Sequence, residues 1–128
     1  MMQEMNQSLF ARPKEDSPEE EEIPLAYVML KTIAILGEAE NEEITQALLF
    51  AEKNGVHVPG INFFYTPNGP SSPEVKSELG LSLIMKEVKQ LSPAVLTKTG
   101  LQHLEELEKN VPSKTREDII RSIKSIQR

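Results

Sequence analysis

The sequence predicts a small, mostly helical α+β domain that carries one β-hairpin. Apolar residues recur at three- and four-residue steps in several segments, which is the spacing of one buried helix face. Turns rich in proline and glycine separate these segments, and a few short stretches have the β-branched or aromatic content of strands. A length of 128 residues suits one domain with tails.

Two amphipathic helices are predicted first. Pro24 begins the first of them, because proline fits the first turn of a helix, and Gly37 ends it. Asn41 is expected to cap the second helix and Gly55 to end it. The residues predicted to face the core are Leu25, Val28, Met29, Ile33 and Leu36 in the first helix and Ile44, Ala47, Leu48 and Ala51 in the second.

A strand and a third helix are predicted next. Residues 61–66 are aromatic and alternate in polarity, which indicates a strand. Ser72 is expected to cap the helix that begins near Pro73. We expect this helix to end at Gly80, although residues 83–88 keep a helical spacing that would extend it.

A hairpin and a fourth helix follow in the prediction. Residues 83–88 and 94–97 are expected to pair as strands around a turn at Ser92-Pro93. Thr97 is expected to cap the next helix. The leucines predicted to face inward from that helix are Leu101, Leu104 and Leu107.

The last helix is expected to begin with a capping box formed by Thr115 and Asp118. Two short helices, a third helix and then a hairpin is the element order of a winged helix. The predicted organisation is therefore a disordered acidic leader at residues 1–23, a winged-helix-like domain at residues 24–111 and a basic amphipathic helix at residues 112–128.

Two motifs resemble a known family. The segment from Phe63 to Val75 is similar to the aromatic strand, Gly-Pro-Tyr-Ser turn and helix of the Panacea-domain group, which includes the SocA-like antitoxins. The stretch from Leu96 to Gly100 is similar to the Leu-Thr-x-x-Gly that closes the wing in many winged-helix proteins. The resemblance covers residues 25–108. It implies a small regulatory or adaptor protein of winged-helix character rather than an enzyme.

Charge is distributed unevenly along the chain. The formal net charge is −6, and residues 1–23 carry seven acidic side chains and two basic ones. This leader is expected to be disordered, because it can bury little apolar surface. Two hypotheses for it stay open: a solvated leader, or an acidic arm, anchored by Leu9 and Phe10, that folds back on the basic C-terminus or imitates nucleic-acid phosphates.

The residue types that enzymes use are scarce or badly placed. The chain has no cysteine, which excludes disulfides, thiolate metal sites and cysteine nucleophiles. His57 and His103 have no second metal ligand at a useful spacing, and Gly69 stands alone rather than in a phosphate-binding loop. We therefore expect no catalytic residue, no metal and no cofactor. We also expect no membrane span and a cytoplasmic location, because no apolar stretch of about 18 residues and no signal peptide is visible.

Two kinds of partner are predicted. In a winged helix the third helix enters the major groove of double-stranded DNA and the hairpin contacts its backbone, which would make the chain a transcription regulator. The candidate DNA contacts are Ser72, Lys76, Lys86, Lys89 and Lys98. The alternative is a protein-interaction module or homodimer without DNA contact. The candidate contacts for that role are Ile119, Ile120, Ile123 and Ile126, which either dock on their own domain or face a second copy.

Overall fold

The computed structural model describes residues 22–126, which form five helices and two antiparallel strand pairs. The helices are α1 (Leu25–Leu36), α2 (Asn41–Lys53), α3 (Pro73–Ile84), α4 (Lys98–Glu108) and α5 (Ser113–Lys124). The strands are β1 (Phe64–Thr66), β2 (Gly69–Ser71), β3 (Val88–Leu91) and β4 (Ala94–Leu96). The expected class, small and mostly helical α+β, is confirmed.

The predicted leader lies almost entirely outside the described residues. Its last residue, Ile23, was assigned to the leader in error, because this side chain is buried in the core. The Ile23 N–H donates to the His57 carbonyl oxygen at 2.9 Å, which fixes the start of the folded chain beside the segment that follows α2. The ordered domain therefore includes Glu22 and Ile23.

Helix α1 is the centre of the core. It packs against α2, α4 and α5, so its apolar residues are covered on nearly every side. The side chains from Tyr27 to Leu30, together with Ile33, are fully buried. Gly37 ends the helix as predicted: its φ of 88° is a left-handed conformation that glycine adopts without a steric penalty.

The start of α2 differs from the prediction. Glu40, not Asn41, is the capping residue, and its N–H donates to the Glu43 carboxylate at 2.9 Å. Asn41 is the first residue of the helix, and its side chain binds the chain at Ser72 instead. The helix ends at Lys53, two residues before the predicted stop. Gly55 adopts the left-handed conformation expected of a residue that ends a helix, with a φ of 88°.

The aromatic strand is shorter than predicted and belongs to a hairpin that the sequence did not indicate. Only Phe64–Thr66 forms β1, and it pairs with β2, so that Phe64 lies opposite Ser71 and Thr66 opposite Gly69. Gly69 is the first residue of β2 and has a φ of 119°. The aromatic side chains Phe63, Phe64 and Tyr65 are exposed rather than covered by helices.

Helix α3 begins as predicted and ends later. The Ser72 hydroxyl accepts a hydrogen bond from the Val75 N–H at 3.3 Å, which confirms the cap. The predicted stop at Gly80 is wrong, because the helix continues for another turn to Ile84. Buried Ser82 extends the core-facing stripe past the glycine, and this packing offsets the weak helical propensity of glycine.

The second hairpin is confirmed, with its first strand displaced along the chain. Strand β3 is Val88–Leu91 rather than residues 83–88, and it pairs with β4 around Ser92 and Pro93. A third extended segment joins this pair. Ala39, between α1 and α2, exchanges two backbone hydrogen bonds with Ala94 at 2.8 and 3.0 Å.

The last two helices complete the core. The Thr97 hydroxyl accepts from the Gly100 N–H at 3.1 Å, which confirms that cap. Of the α4 leucines, Leu104 is buried and Leu107 is partly buried, whereas Leu101 is exposed and was wrongly expected to face inward. Helix α5 begins at Ser113 after Pro112, so the predicted capping box of Thr115 and Asp118 is not formed.

Candidate partner-binding surface

The second half of α3 exposes an unusual number of large apolar side chains. Leu81, Leu83, Ile84 and Met85 are all exposed, Ile84 by 75% and Met85 by 58%. We call these four residues the α3 apolar patch; Leu81, Ile84 and Met85 share one face of the helix, and Leu83 lies about 100° around the helix from Ile84. They are exposed because Val75, Leu79 and Ser82 define the buried face of the helix, and a rotation of about 100° per residue turns most of the other positions outward. Large exposed apolar patches on soluble proteins mark interaction sites.

Four exposed lysines lie on α3 or on the segments that follow it. Lys76 lies on the first half of α3, Lys86 follows Met85, and Lys89 lies in β3, which packs against α3. The Lys86 carbonyl oxygen accepts a hydrogen bond from the Thr97 hydroxyl at 2.6 Å, which brings Lys98 close to Lys86 in the fold. Within the part of the chain that the structure describes, none of these four lysines forms an ion pair.

Glu87 holds the hairpin against both neighbouring helices. Its N–H donates to the Ser82 carbonyl oxygen at 2.8 Å, and its own carbonyl oxygen accepts from the Thr97 N–H at 2.9 Å. The Glu87 carboxylate lies 2.7 Å from His103 Nδ1, an ion pair whenever the imidazole is protonated. Gly100 packs so closely on the Glu87 carbonyl that a Cβ atom there would overlap it. The C-terminal end of α3, which carries the patch, is therefore connected through Glu87 to the start of α4.

The sequence-predicted DNA contacts are divided by the structure. Lys76, Lys86, Lys89 and Lys98 are exposed along the α3 and β3–β4 edge. Ser72 is buried, and its hydroxyl is occupied as the α3 cap and as a donor to the Glu74 carboxylate. Ser72 therefore positions the helix and presents no free side chain to a ligand.

Glu74 lies near the start of the same helix. The backbone N–H and side-chain amide of Asn62 both donate to its carboxylate, at 2.9 and 3.1 Å, and they lower the pKa of Glu74. This carboxylate stays ionised and connects the helix to the loop before β1. A phosphate group near the first turn of α3 would meet this negative charge.

The isoleucines of α5 are divided in a similar way. Ile119 and Ile123 are fully buried in the core, where α5 packs against α2. The structure thus places these two side chains in the docked arrangement of the two that the sequence left open. Ile120 and Ile126 are partly buried, and a contact with a second copy through them stays a prediction.

A second exposed apolar surface lies on the β1–β2 hairpin. Phe63, Phe64 and Tyr65 are exposed, Tyr65 by 76%, and the rings of Phe63 and Tyr65 meet edge to face at 5.7 Å between centroids. Together with Phe50 and Pro70, Phe63 and Tyr65 border an open groove of about 460 Å³. This surface is separate from the α3 apolar patch in sequence and lies against α2.

The most perturbed titratable group is a structural one. Burial and the neighbouring Glu108 carboxylate raise the pKa of Tyr27 far above its usual value. The Tyr27 hydroxyl and Lys31 Nζ both donate to Glu108 Oε2 at 2.7 Å. Burial opposes ionisation of Glu108, but these two hydrogen bonds outweigh it and lower its pKa. The cluster joins α1 to α4 and is not a separated acid–base pair.

Residues 22–126 contain no group of three or more histidine and acidic side chains that would hold a metal ion. No helix in the same range is long and apolar enough to cross a membrane. His57 is exposed, and its backbone forms a bridge with Glu22.

Comparisons with known proteins return no relative: no family model matches the chain, and no curated protein or solved structure is significantly similar to it.

The α3 apolar patch was missed by the sequence reasoning. Ending the helix at Gly80 placed Leu83 and Ile84 in a strand, where alternate residues would face the core. A signal was present, because the spacing of residues 83–88 was compatible with a longer helix.

Proposed function

We propose that this chain is a non-enzymatic regulatory protein of winged-helix type that acts by binding a partner protein through the α3 apolar patch. The observation that carries the proposal is the exposure of Leu81, Leu83, Ile84 and Met85 on one helical turn and the residue after it. Removing such side chains from water in an interface is favourable at about 25 cal/mol per Å² of apolar surface.

The element order supports the winged-helix assignment. A winged helix has three helices followed by a hairpin, with a short extended segment between the first two helices that joins the hairpin. The Ala39–Ala94 pairing provides that segment here, since Ala39 lies between α1 and α2. The β1–β2 hairpin would then be an insertion before the third helix. The resemblance of the segment that leads into Pro73 to the Panacea-domain group points the same way.

A protein partner fits this surface better than DNA. A helix that reads DNA presents polar and cationic side chains to bases and phosphates, and most affinity for DNA comes from phosphate neutralisation. The second half of α3 presents leucine, isoleucine and methionine instead. The formal net charge of −6 also opposes a general attraction to nucleic acid.

The proposal is tested by comparing which partner proteins the wild type and two variants bind. Purified full-length chain is used as bait in a lysate of its native host, beside the variants I84S/M85S and F64S/Y65S. The second variant is a matched control, because it removes two exposed apolar side chains from the β1–β2 hairpin. We expect a protein bound by the wild type and the control to be lost with I84S/M85S. Equal binding by all three chains would contradict the proposal.

Binding to double-stranded DNA is the second candidate, and one observation favours it. The four exposed lysines around α3 and the β3–β4 hairpin have no ion-pair partner in the described part of the chain, so they are free to contact phosphates. Transcription regulation would follow from this candidate.

The DNA candidate predicts duplex binding that weakens steeply between 50 and 200 mM salt, as expected of about three or more phosphate contacts. Fluorescence anisotropy with a mixed-sequence duplex measures it for the wild type, for K86E/K89E/K98E and for a variant with the same net charge, K53E/K109E/K124E. Loss of binding in the first variant alone supports DNA contact by the hairpin edge. Equal loss of duplex binding in both variants would show that the binding is a non-specific effect of net charge.

A further inference from the structure

We propose that residues 1–21 of this chain occupy the α3 apolar patch in cis, so that a partner must displace them. This inference rests on the proposed function, because it assigns the first occupant of the same surface. The patch is apolar, and exposed lysines lie on the same helix and on the segments that follow it, so its occupant should combine large apolar side chains with acidic ones.

The N-terminal segment has that composition. Leu9 and Phe10 are adjacent apolar residues, and the stretch after them, residues 11–21, carries five acidic side chains and two basic ones, Arg12 and Lys14. The acidic side chains that follow Phe10 before the described residues begin are Glu15, Asp16, Glu19, Glu20 and Glu21. On the folded domain, the exposed lysines on α3 and on the segments that follow it are Lys76, Lys86, Lys89 and Lys98.

The complementarity involves charges that have no other counterpart on the described domain. Lys31, Lys109, Lys114 and Arg121 form ion pairs with carboxylates of the domain, whereas the four lysines on α3 and on the segments that follow it form none there. Acidic side chains brought to these lysines would gain Coulomb energy without breaking an existing pair. The gain per exposed pair is small, about 0.2–1 kcal/mol, so several pairs and the apolar contact must act together.

The tether is long enough for this contact. The described chain begins at Glu22, where the Ile23 N–H is bonded to the His57 carbonyl oxygen. Phe10 precedes Glu22 by 12 residues, which span at most about 40 Å when extended. A domain of this size has a radius of gyration of about 13 Å and hence a diameter of roughly 33 Å. The path over such a surface to the point opposite Glu22 is roughly 52 Å, so Phe10 can reach most of the domain surface but not its far side.

Tethering makes even a weak contact effective. A segment joined by a short flexible connection has an effective concentration on the order of millimolar at sites within its reach. Contact by Leu9 and Phe10 would also remove the exposed isoleucine and methionine from water, which lowers the tendency of the patch to associate with a second copy. A partner protein with a larger apolar face would displace the segment.

The absence of cysteine from the chain permits a direct test. Two full-length double variants are prepared, A11C/S77C and A11C/E52C, and both are oxidised slowly at micromolar concentration. Ser77 is exposed and lies one helical turn before Leu81. Glu52 is exposed and lies in the groove beside His57, near the point where the described chain begins. A tether with no preferred contact on the domain would therefore favour the control, A11C/E52C.

We expect the intramolecular disulfide to form at least about tenfold faster in A11C/S77C than in the control, as an effective-concentration difference between a bound and an unbound site would produce. We also expect L9S/F10S to remove this advantage. Equal rates in the two variants would overturn the proposal, and so would disulfide-linked dimers as the main product of A11C/S77C, since they would show that the occupant belongs to a second copy.

The two proposals can fail separately. If A11C/S77C has no advantage while I84S/M85S still loses a partner, only the cis contact is wrong. If the cross-link forms rapidly while no protein depends on the patch, the patch serves the N-terminal segment alone and the proposed function is wrong.

Discussion

The side-chain amide of Asn41 binds both backbone polar groups of Ser72. Its Nδ2 donates to the Ser72 carbonyl oxygen and its Oδ1 accepts from the Ser72 N–H, each at 3.0 Å. An amide side chain can pair with a backbone residue in this way because it carries the same donor and acceptor as a peptide group. The first residue of α2 therefore holds the residue that caps α3, and it sets the position of the helix that carries the α3 apolar patch.

We predict that Asn41→Ala lowers the free energy of unfolding by about 1–3 kcal/mol, because it removes two partly buried hydrogen bonds to the backbone. Urea denaturation followed by circular dichroism measures the change. Asn68→Ala, in the β1–β2 turn, is the control and should stay within about 0.5 kcal/mol of the wild type. Equal effects at the two positions would show that the Asn41 contact contributes little.

Replacement by alanine is predicted to change stability in opposite directions at two glycines that both lie within helices. At Gly100 a Cβ atom would overlap the Glu87 carbonyl group, so Gly100→Ala should destabilise the domain by about 2–4 kcal/mol. At Gly80 a Cβ atom would meet open space within a helix, so Gly80→Ala should stabilise it by about 0.5–1 kcal/mol. Thermal unfolding of the two variants tests the pair. Stabilisation at both positions would mean that α4 is not held as closely to the hairpin.

Stability should fall in acid partly through Glu108. Its pKa in the folded protein is below the ordinary value of 4.5, so its contribution is present above about pH 4.5 and is lost as the pH falls through the folded value. We predict that Glu108→Gln is less stable than the wild type at pH 7, and that the difference narrows as the pH falls below 4.5. Denaturant unfolding at several pH values measures this. Glu106→Gln, which alters an exposed pair with Lys109, is the control, and its free energy of unfolding should change with pH in the same way as that of the wild type. A stability difference between Glu108→Gln and the wild type that does not change with pH would contradict the prediction.

Two neighbouring isoleucines of α5 provide a test of core packing. Ile119 is fully buried and Ile120 only partly, so we expect Ile119→Val to cost about 0.5–1.5 kcal/mol and Ile120→Val less than about 0.5 kcal/mol. Sedimentation beside the unfolding measurement separates packing from self-association. A change in molecular mass with no loss of stability for Ile119→Val would contradict the burial of this side chain and restore the dimer interpretation.

Some features that depend on local chemistry were predicted correctly from the sequence, although the caps predicted at Asn41 and at Thr115 with Asp118 were not. Ser72 and Thr97 cap helices because a hydroxyl in that position bonds the free N–H groups of the next turn, whatever the rest of the fold does. Gly37 ends its helix for an equally local reason, its φ of 88°. Lys86, Lys89 and Lys98, which the sequence offered as candidate DNA contacts, are exposed, as a lone lysine usually is.

Only the tertiary structure decided where α3 ends and which way its last turn faces. Whether a helix stops at Gly80 depends on what lies against residues beyond it, and buried Ser82, bonded through its carbonyl oxygen to the Glu87 N–H, carries the helix on to Ile84. The same continuation turns Ile84 and Met85 outward and so creates the α3 apolar patch. The sequence determined the composition of this surface, but contacts between residues distant along the chain set its orientation, because burial is a property of the whole packed domain.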